Sequence, residues 1–253
     1  MPNPFRLLPP WRHKSRGFDA PIAPKSTFAV IGDVHGCDAL LMRVLEQLRS
    51  EVPGIPIVFV GDYVDRGPES AGVLSRVRRL TLGYPENMIA LKGNHEAMML
   101  DFIDFPARSG HRWLMNGGDR TLESCGIPVP ADMQNESDLI AARDALMAQM
   151  DPAIITWLRA LPLMWQSGNV VVTHAGGDPG KPIEPRRGHG LLWGHPDFLR
   201  KPRQDGLWMV HGHFIVDEAG VTAGRIAVDT GAYRTGHLSA AIIEAGEVRF
   251  IGT

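Results

Sequence analysis

Only two cysteines, Cys37 and Cys125, occur in the 253 residues, far apart and in no ligand-like spacing. That argues against a disulfide framework and fits a reducing compartment, so a cytoplasmic location is the expectation. No run approaches the roughly 20 apolar residues that span a bilayer. The opening MPNPFRLLPPWRHKSRG is basic but has no apolar core of signal-peptide length. Neither sign of charge dominates: 26 basic residues face 28 acidic ones, a formal net charge of -2. Nothing in that balance points to a nucleic-acid or membrane partner. Gly176–Gly180 (GGDPG) is glycine-rich, yet no Gly-Lys-Ser/Thr follows it, so it reads as a loop and not as a nucleotide-binding P-loop.

What is present is a regular alternation. Residues 1–26 hold six prolines and no periodicity, which predicts an extended arm before a single domain over 27–253. Three short apolar, β-rich runs follow, TFAVI, PIVFV and NMIAL. After each comes a loop and then helical spacing: over 38–49 with Asp38 as N-cap, over 69–80, and from about Glu96 to Ile103. Strand, loop and helix in repetition predict βαβ units and a mainly parallel sheet, hence an α/β fold. The stretch 104–160 departs from this pattern and reads as a helical insertion, with Leu139–Met150 helical and Asp151-Pro152 opening a further helix. From residue 161 many short strands with glycine turns suggest a second, more antiparallel sheet packed on the first.

The polar residues gather where the strands end. The three loops read Gly32-Asp33-Val34-His35-Gly36, Gly61-Asp62-Tyr63-Val64-Asp65-Arg66-Gly67 and Gly93-Asn94-His95-Glu96. Ligands of open α/β sheets bind beyond the carboxyl ends of the strands, so these loops are expected to converge. Asp33 and His35 can offer oxygen and nitrogen to one cation, and Asp62 can bridge two. Asn94 adds a neutral oxygen, while His174 and the His211/His213 pair supply imidazoles. Mixed oxygen and imidazole donors suit manganese, iron or zinc better than calcium. Two divalent ions against two aspartates leave a positive surplus that would draw a phosphate, with Arg66 as a further clamp.

These blocks resemble the calcineurin-like metallophosphoesterases, and within them the bacterial phosphoprotein phosphatase branch: GDVHG at 32–36, GDYVDRG at 61–67, GNHE at 93–96, THAG at 173–176 and GHF at 212–214. The resemblance implies a four-layer α/β sandwich of two mixed β-sheets flanked by helices. It implies two divalent metals, most simply manganese, with Asp33 and His35 on the first, Asp62 bridging, and Asn94, His174 and His213 on the second. His95 would be the general acid, Asp65 its orienting partner, and Arg66 and Asn94 would hold the phosphoryl group. A hydroxide shared by the metals would attack phosphorus directly, without a covalent phosphoenzyme. The implied activity is serine/threonine protein phosphatase-like hydrolysis of phosphomonoesters in proteins, peptides or small molecules. Diadenosine tetraphosphate hydrolysis is the rival, and a catalytically silent metal-binding scaffold the third reading.

One departure concerns the substrate. Bacterial relatives often carry an arginine shortly after a Leu-Trp pair, whereas here Leu192-Trp193-Gly194-His195-Pro196 places His195 there as a substrate-contact candidate. Arg186, Arg187 and Arg200 are the candidates to compensate. His211 reads as a neighbour of the ligands, His13, His111 and His237 as bystanders, and Cys37 as a candidate redox-sensitive thiol by proximity. The run Arg76–Arg79 reads as a solvated helix face, and Trp193 as a wall of the pocket.

Overall fold

The computed structural model describes residues 17–184 and 188–253, so His13, Arg186, Arg187 and most of the proline-rich arm lie outside the described residues. Two five-stranded mixed sheets face each other. The first runs in the order β10 (Glu247–Gly252), β9 (Ser239–Glu244), β1 (Phe28–Ile31), β2 (Ile57–Phe59), β3 (Met88–Ala90). The second runs β4 (Met164–Ser167), β5 (Val170–Thr173), β6 (Trp208–His211), β8 (Arg225–Ala227), β7 (Gly220–Thr222).

The layering follows from strand alternation, in which successive side chains face opposite sides. Phe28 and Val30 of β1, with Val58 of β2, meet Val172, Val210 and Ile226 of the second sheet in one buried cluster. Ala29, Ile31, Ile57 and Phe59 point the other way, into a cluster with Leu41, Val44, Val73 and Val77. Those last four lie on α1 (Asp38–Glu51) and α2 (Ser70–Gly83). Each such valine or leucine, fully buried, contributes about 1.5–3 kcal/mol relative to exposure. The outer face of the second sheet is covered differently, by Phe198 against Val171 and Met209.

Four sequence expectations change. The last two strands do not join the second sheet: β9 pairs antiparallel with β1, and β10 with β9. The second sheet is parallel at its centre, β5 with β6 and β6 with β8. Buried on both faces from Ser239 to Ile243 and apolar over Ala240–Ile243, SAAIIE fits a place inside either sheet, so its own pattern does not select the partner. Asp38 does not cap α1 with its side chain; the helix begins at Asp38 after Cys37, and the carboxylate instead pairs with Arg76 at 2.6 and 2.7 Å. Arg76 is thus half of a structural pair and not merely a solvated face.

The insertion is helical. It holds α4 (Pro106–Trp113), a π-helical turn at Leu114–Gly118, α5 (Asp119–Ser124), α6 (Glu136–Gln149) and α7 (Pro152–Ala160). Asn135 caps α6 by accepting from Ser137 N and Asp138 N, and Asp151 caps α7 by accepting from Ala153 N at 2.9 Å. Residues 17–25 form no regular element but lie along the second sheet: Asn169 receives Ala23 N and donates to Pro21 O, each at 2.8 Å. Among the described residues, no helix is long and apolar enough to cross a membrane.

Candidate metal centre

Strands β1, β2 and β3 are parallel, as are β5, β6 and β8, so their carboxyl ends open on one edge of the paired sheets. Asp33, Asp62 and Asn94 follow the first three; His174, His213 and Asp229 follow the others. Neighbouring turns share backbone hydrogen bonds: His35 N donates to Asp62 O at 2.8 Å, Gly212 N to His174 O at 2.9 Å, and Val228 N to His211 O at 3.0 Å. The turns are tight enough that His35, Asp62, Asp65, Arg66 and His213 all hold positive φ. For residues with a Cβ such conformations cost about 1–3 kcal/mol each and persist only where surroundings impose them.

Two overlapping donor groups result. Ligand atoms of His35, Asp62 and His95 lie within 4.8 Å of one another, as do those of Asp62, His174 and His213. Asp62 belongs to both: its Oδ2 is 3.4 Å from His35 Nε2, and its Oδ1 is 3.4 Å from His174 Nε2. Asn94 Oδ1 lies 2.7 Å from His174 Nε2 and 2.9 Å from His213 Nδ1. Asp33 enters from the β1 side, its Oδ2 receiving the backbone N–H of His213, a member of the second group, at 3.0 Å.

The donor chemistry fits cations. His35 Nδ1 faces Val64 O at 2.8 Å, and His174 Nδ1 faces Val60 O at 3.1 Å. A carbonyl only accepts, so each Nδ1 carries the proton and each Nε2 turns its lone pair inward. The His174 lone pair then faces the Asn94 oxygen, an arrangement a cation between them relieves. Asp33 Oδ1 is buried without a hydrogen-bond partner. Gly212 leaves room for it: a Cβ there would stand 1.8 Å from that oxygen. Gly93 does the same for Asp62, whose Oδ1 would lie 2.1 Å from an added Cβ.

Protonation agrees. Burial drives the pKa of His35 down to about 3 and that of His213 down to about 4, and lowers that of His174, so all three are neutral near pH 7. Burial, then the charges of Asp229 and Asp62, push Asp33 well above the usual carboxylate range. Burial lifts Asp229 to about 6, and burial with the Asp62 charge lifts Glu96 to about 7. Each of these three acids holds its proton more tightly folded than unfolded. The stability this gives is fully present below about pH 4 and is lost as pH rises through about 6 and 7. Burial alone would raise Asp62 too, but His174, His95 and His35 outweigh it and hold it below the usual range. Its opposite contribution therefore falls away only below about pH 4. The buried histidines work the other way: His35, His174, His211 and His213 are held below the ordinary histidine value, so their contribution rises as pH climbs toward about 6.5 and opposes that of the acids. Divalent metal is expected to raise the melting temperature more at the higher pH. Thermal unfolding with and without chelator at pH ~5 and pH ~7 checks this, and a metal-induced shift no larger at the higher pH contradicts it.

Beside the donor groups lies a proton relay. His95 Nδ1 is 2.7 Å from Asp65 Oδ2, and His95 Nε2 is 3.2 Å from an Arg66 Nη and 3.9 Å from Asp62 Oδ2. Burial would lower the His95 pKa, but the Asp62 and Asp65 carboxylates outweigh it and raise it. Asp65 is fully buried and is held by residues of the helical insertion. Trp113 Nε1 reaches both its oxygens at 3.1 Å, and the Thr121 hydroxyl donates to Oδ1 at 2.7 Å. Trp113→Phe keeps the stacking on Phe102, whose ring lies 4.6 Å away, and removes only the N–H. The expected loss is about 1–3 kcal/mol of stability for the weakened buried acceptor, read from denaturant midpoints. An unchanged midpoint contradicts this role for Trp113.

Several residues took places the sequence did not announce. Glu96 is the hub of the second turn, accepting from Asp62 N, Tyr63 N and Gly93 N at 2.7–2.8 Å. Gly93 is the N-cap of α3 (Asn94–Asp104), which begins two residues before the expected Glu96. Tyr233 receives an Arg66 Nη at 3.0 Å and meets the His35 ring edge-on. His211 turns away, packing between Phe198 and Phe214. His195 is not brought to the donor groups: its Nδ1 accepts from Asp197 N, and its Nε2 is 3.8 Å from Asp178. It lines a separate cavity with Asp178, Lys181 and His189, where the two-residue step beyond Trp193 carries it. Burial pushes the Cys37 thiol up to about 11, which keeps it protonated and unreactive at neutral pH. Arg200 is exposed. His237 lies at the surface, its Nδ1 2.6 Å from Thr253 O.

Two mixed sheets with an aspartate, asparagine and histidine centre at their common edge define a metal-dependent phosphoric ester hydrolase. Residues 26–236 match the calcineurin-like phosphoesterase family, and the chain belongs to it. Serine/threonine-protein phosphatase 2 of Salmonella typhimurium is 30% identical over 224 residues, covering 83% of this chain and 89% of that protein. The symmetrical bis(5'-nucleosyl)-tetraphosphatase of a Janthinobacterium is 30% identical over 151 residues, which is 60% of this chain but 43% of that one. Among solved structures, one provisionally named a diadenosine tetraphosphatase superposes with a TM-score of 0.60 at 21% identity, covering 92% of this chain and 98% of its own. A serine/threonine phosphatase from Saccharomyces cerevisiae gives 0.54 at 18%, covering 91% and 80%. At those identities the likeness is one of fold.

Proposed function

We propose that the protein is a phosphomonoesterase of the serine/threonine phosphatase type, using a two-metal centre held by Asp33, His35, Asp62, Asn94, His174 and His213. Two divalent cations bound there supply Lewis acidity toward the phosphoryl oxygens and lower the pKa of a water. Manganese is the simplest occupant for this mixed oxygen and imidazole set. Arg66, positioned by Tyr233, neutralises the phosphoryl group, and the Asn94 amide orients it. His95 delivers the proton from Nε2 to the leaving oxygen, while Asp65 receives the Nδ1 hydrogen and fixes the ring. The observation that carries this reading is the His95–Asp65 pair at 2.7 Å beside the shared carboxylate of Asp62. A scaffold that only stored metal needs neither that pair nor Arg66.

The choice between phosphatase and dinucleoside tetraphosphatase rests on coverage. The phosphatase relative is spanned over 89% of its length, the tetraphosphatase over 43%. With two unpaired thiols, a reducing, cytoplasmic setting suits it. The purified protein, with manganese added, is expected to release phosphate from phosphoserine or phosphothreonine peptides and from p-nitrophenyl phosphate. ADP release from diadenosine tetraphosphate at a far higher rate than peptide turnover contradicts the phosphatase reading.

A further inference from the structure

The Leu192-Trp193 stretch lacks the arginine expected after it, yet an arginine stands over that tryptophan from elsewhere in the chain. Arg112, on α4, places its guanidinium carbon 4.6 Å from the centroid of the Trp193 ring. One turn earlier Arg108 lies 4.2 Å over the ring of Phe105, which is half exposed. Both arginines are exposed, and neither forms an ion pair with a carboxylate among the described residues. An aromatic face holds a guanidinium in place without neutralising it. The two cations therefore lie along one edge of α4 without a direct carboxylate partner. Asp101 lines the same cleft of about 230 Å³ as Arg108 and Arg112, with Met98 and Ser109, but pairs with neither.

This edge adjoins the metal centre through both its supports. Trp113, the residue after Arg112, donates to Asp65. Trp193 closes α8 (His189–Trp193), whose Leu191 carbonyl accepts from Ala175 N, one residue past His174, at 2.7 Å. Met98 lies one turn along α3 from Asn94 and His95. Arg112 is thereby tied to the centre through both Trp113 and Trp193, with Arg108 one turn before it on the same helix.

Resting on the protein-phosphatase reading, we infer that Arg112 and Arg108 select phosphopeptides carrying acidic side chains beside the phosphorylated residue. Exposed ion pairs of this kind are individually weak, so discrimination of about 3- to 10-fold in kcat/KM is expected between an acidic-flanked peptide and its alanine-flanked counterpart. The ratio should shrink as salt is added.

The test is that ratio, measured with manganese on three synthetic phosphopeptides flanked by glutamate, alanine or lysine. The Arg108→Ala/Arg112→Ala variant brings the ratio to about one. The Arg108→Glu/Arg112→Glu variant inverts it and gains turnover of the lysine-flanked peptide, a gain that misfolding or a lost brace between α4 and α8 cannot produce. Peptide turnover with no flank preference, or a preference unchanged by charge reversal, overturns the inference while leaving the phosphatase reading intact. Loss of all three peptides in equal proportion in both variants also overturns it, because the arginines then serve the scissile phosphate or the fold. Absence of any phosphopeptide turnover beside active hydrolysis of p-nitrophenyl phosphate overturns both.

Discussion

Replacing Asp62 with alanine is expected to lower kcat by more than about 10⁴-fold, beyond the usual range for loss of a single acid catalyst. Its carboxylate is the one group common to both donor clusters, with Oδ1 toward His174 and Oδ2 toward His35. No neighbour replaces it, since Asp33 lies on one side and Asn94 on the other. The same carboxylate accepts His95 N at 3.0 Å, so its loss also frees the start of α3. Metal content should fall together with activity, and saturating manganese should not restore the rate. A variant that retained two ions per chain and near-normal turnover would refute the bridging role.

Replacing His95 with alanine is expected to cost about 10²- to 10⁴-fold in kcat with metal content unchanged. The separation of the two effects is the point. His95 Nδ1 is committed to Asp65, whereas its Nε2 lies among the donor atoms of His35 and Asp62, so metal content in the variant separates the proposed proton transfer from ligation. A substrate with an activated leaving group, such as p-nitrophenyl phosphate, needs less protonation and should lose less than a phosphoserine peptide does. If His95 supplies the proton, the alkaline limb that it governs in the wild-type pH profile should disappear in the variant. Equal losses on both substrates, accompanied by lost metal, would make His95 a ligand instead.

The centre was legible in the sequence because its parts come from strand ends that are short, apolar and followed at once by glycine-flanked polar residues. Asp33, Asp62 and Asn94 needed only the rule that parallel strands open their carboxyl ends on one edge. The residues that hold Asp65 were not legible. Trp113 and Thr121 lie 48 and 56 positions away, on helices whose approach to the second turn is set by packing. Asp229 had the right signal, a lone acid after a buried strand, but without a second polar residue beside it that signal matches any turn. The membership of β9 and β10 in the first sheet was hidden for a related reason: an apolar strand states that it is buried, not which neighbour buries it. His195 shows the reverse limit: a sequence offset suggested a phosphate contact, and the structure sets its ring beside Asp178 and Asp197, in a cavity that also meets Gly176 and Gly177.

The most direct test is anomalous diffraction from crystals soaked in manganese. Two peaks about 3.5–4 Å apart are expected, as in other two-metal sites. One should sit between Asp33, His35 and Asp62, and the other between Asp62, Asn94, His174 and His213. A single ion held outside Asp62, or none at this edge of the sheets, contradicts the account.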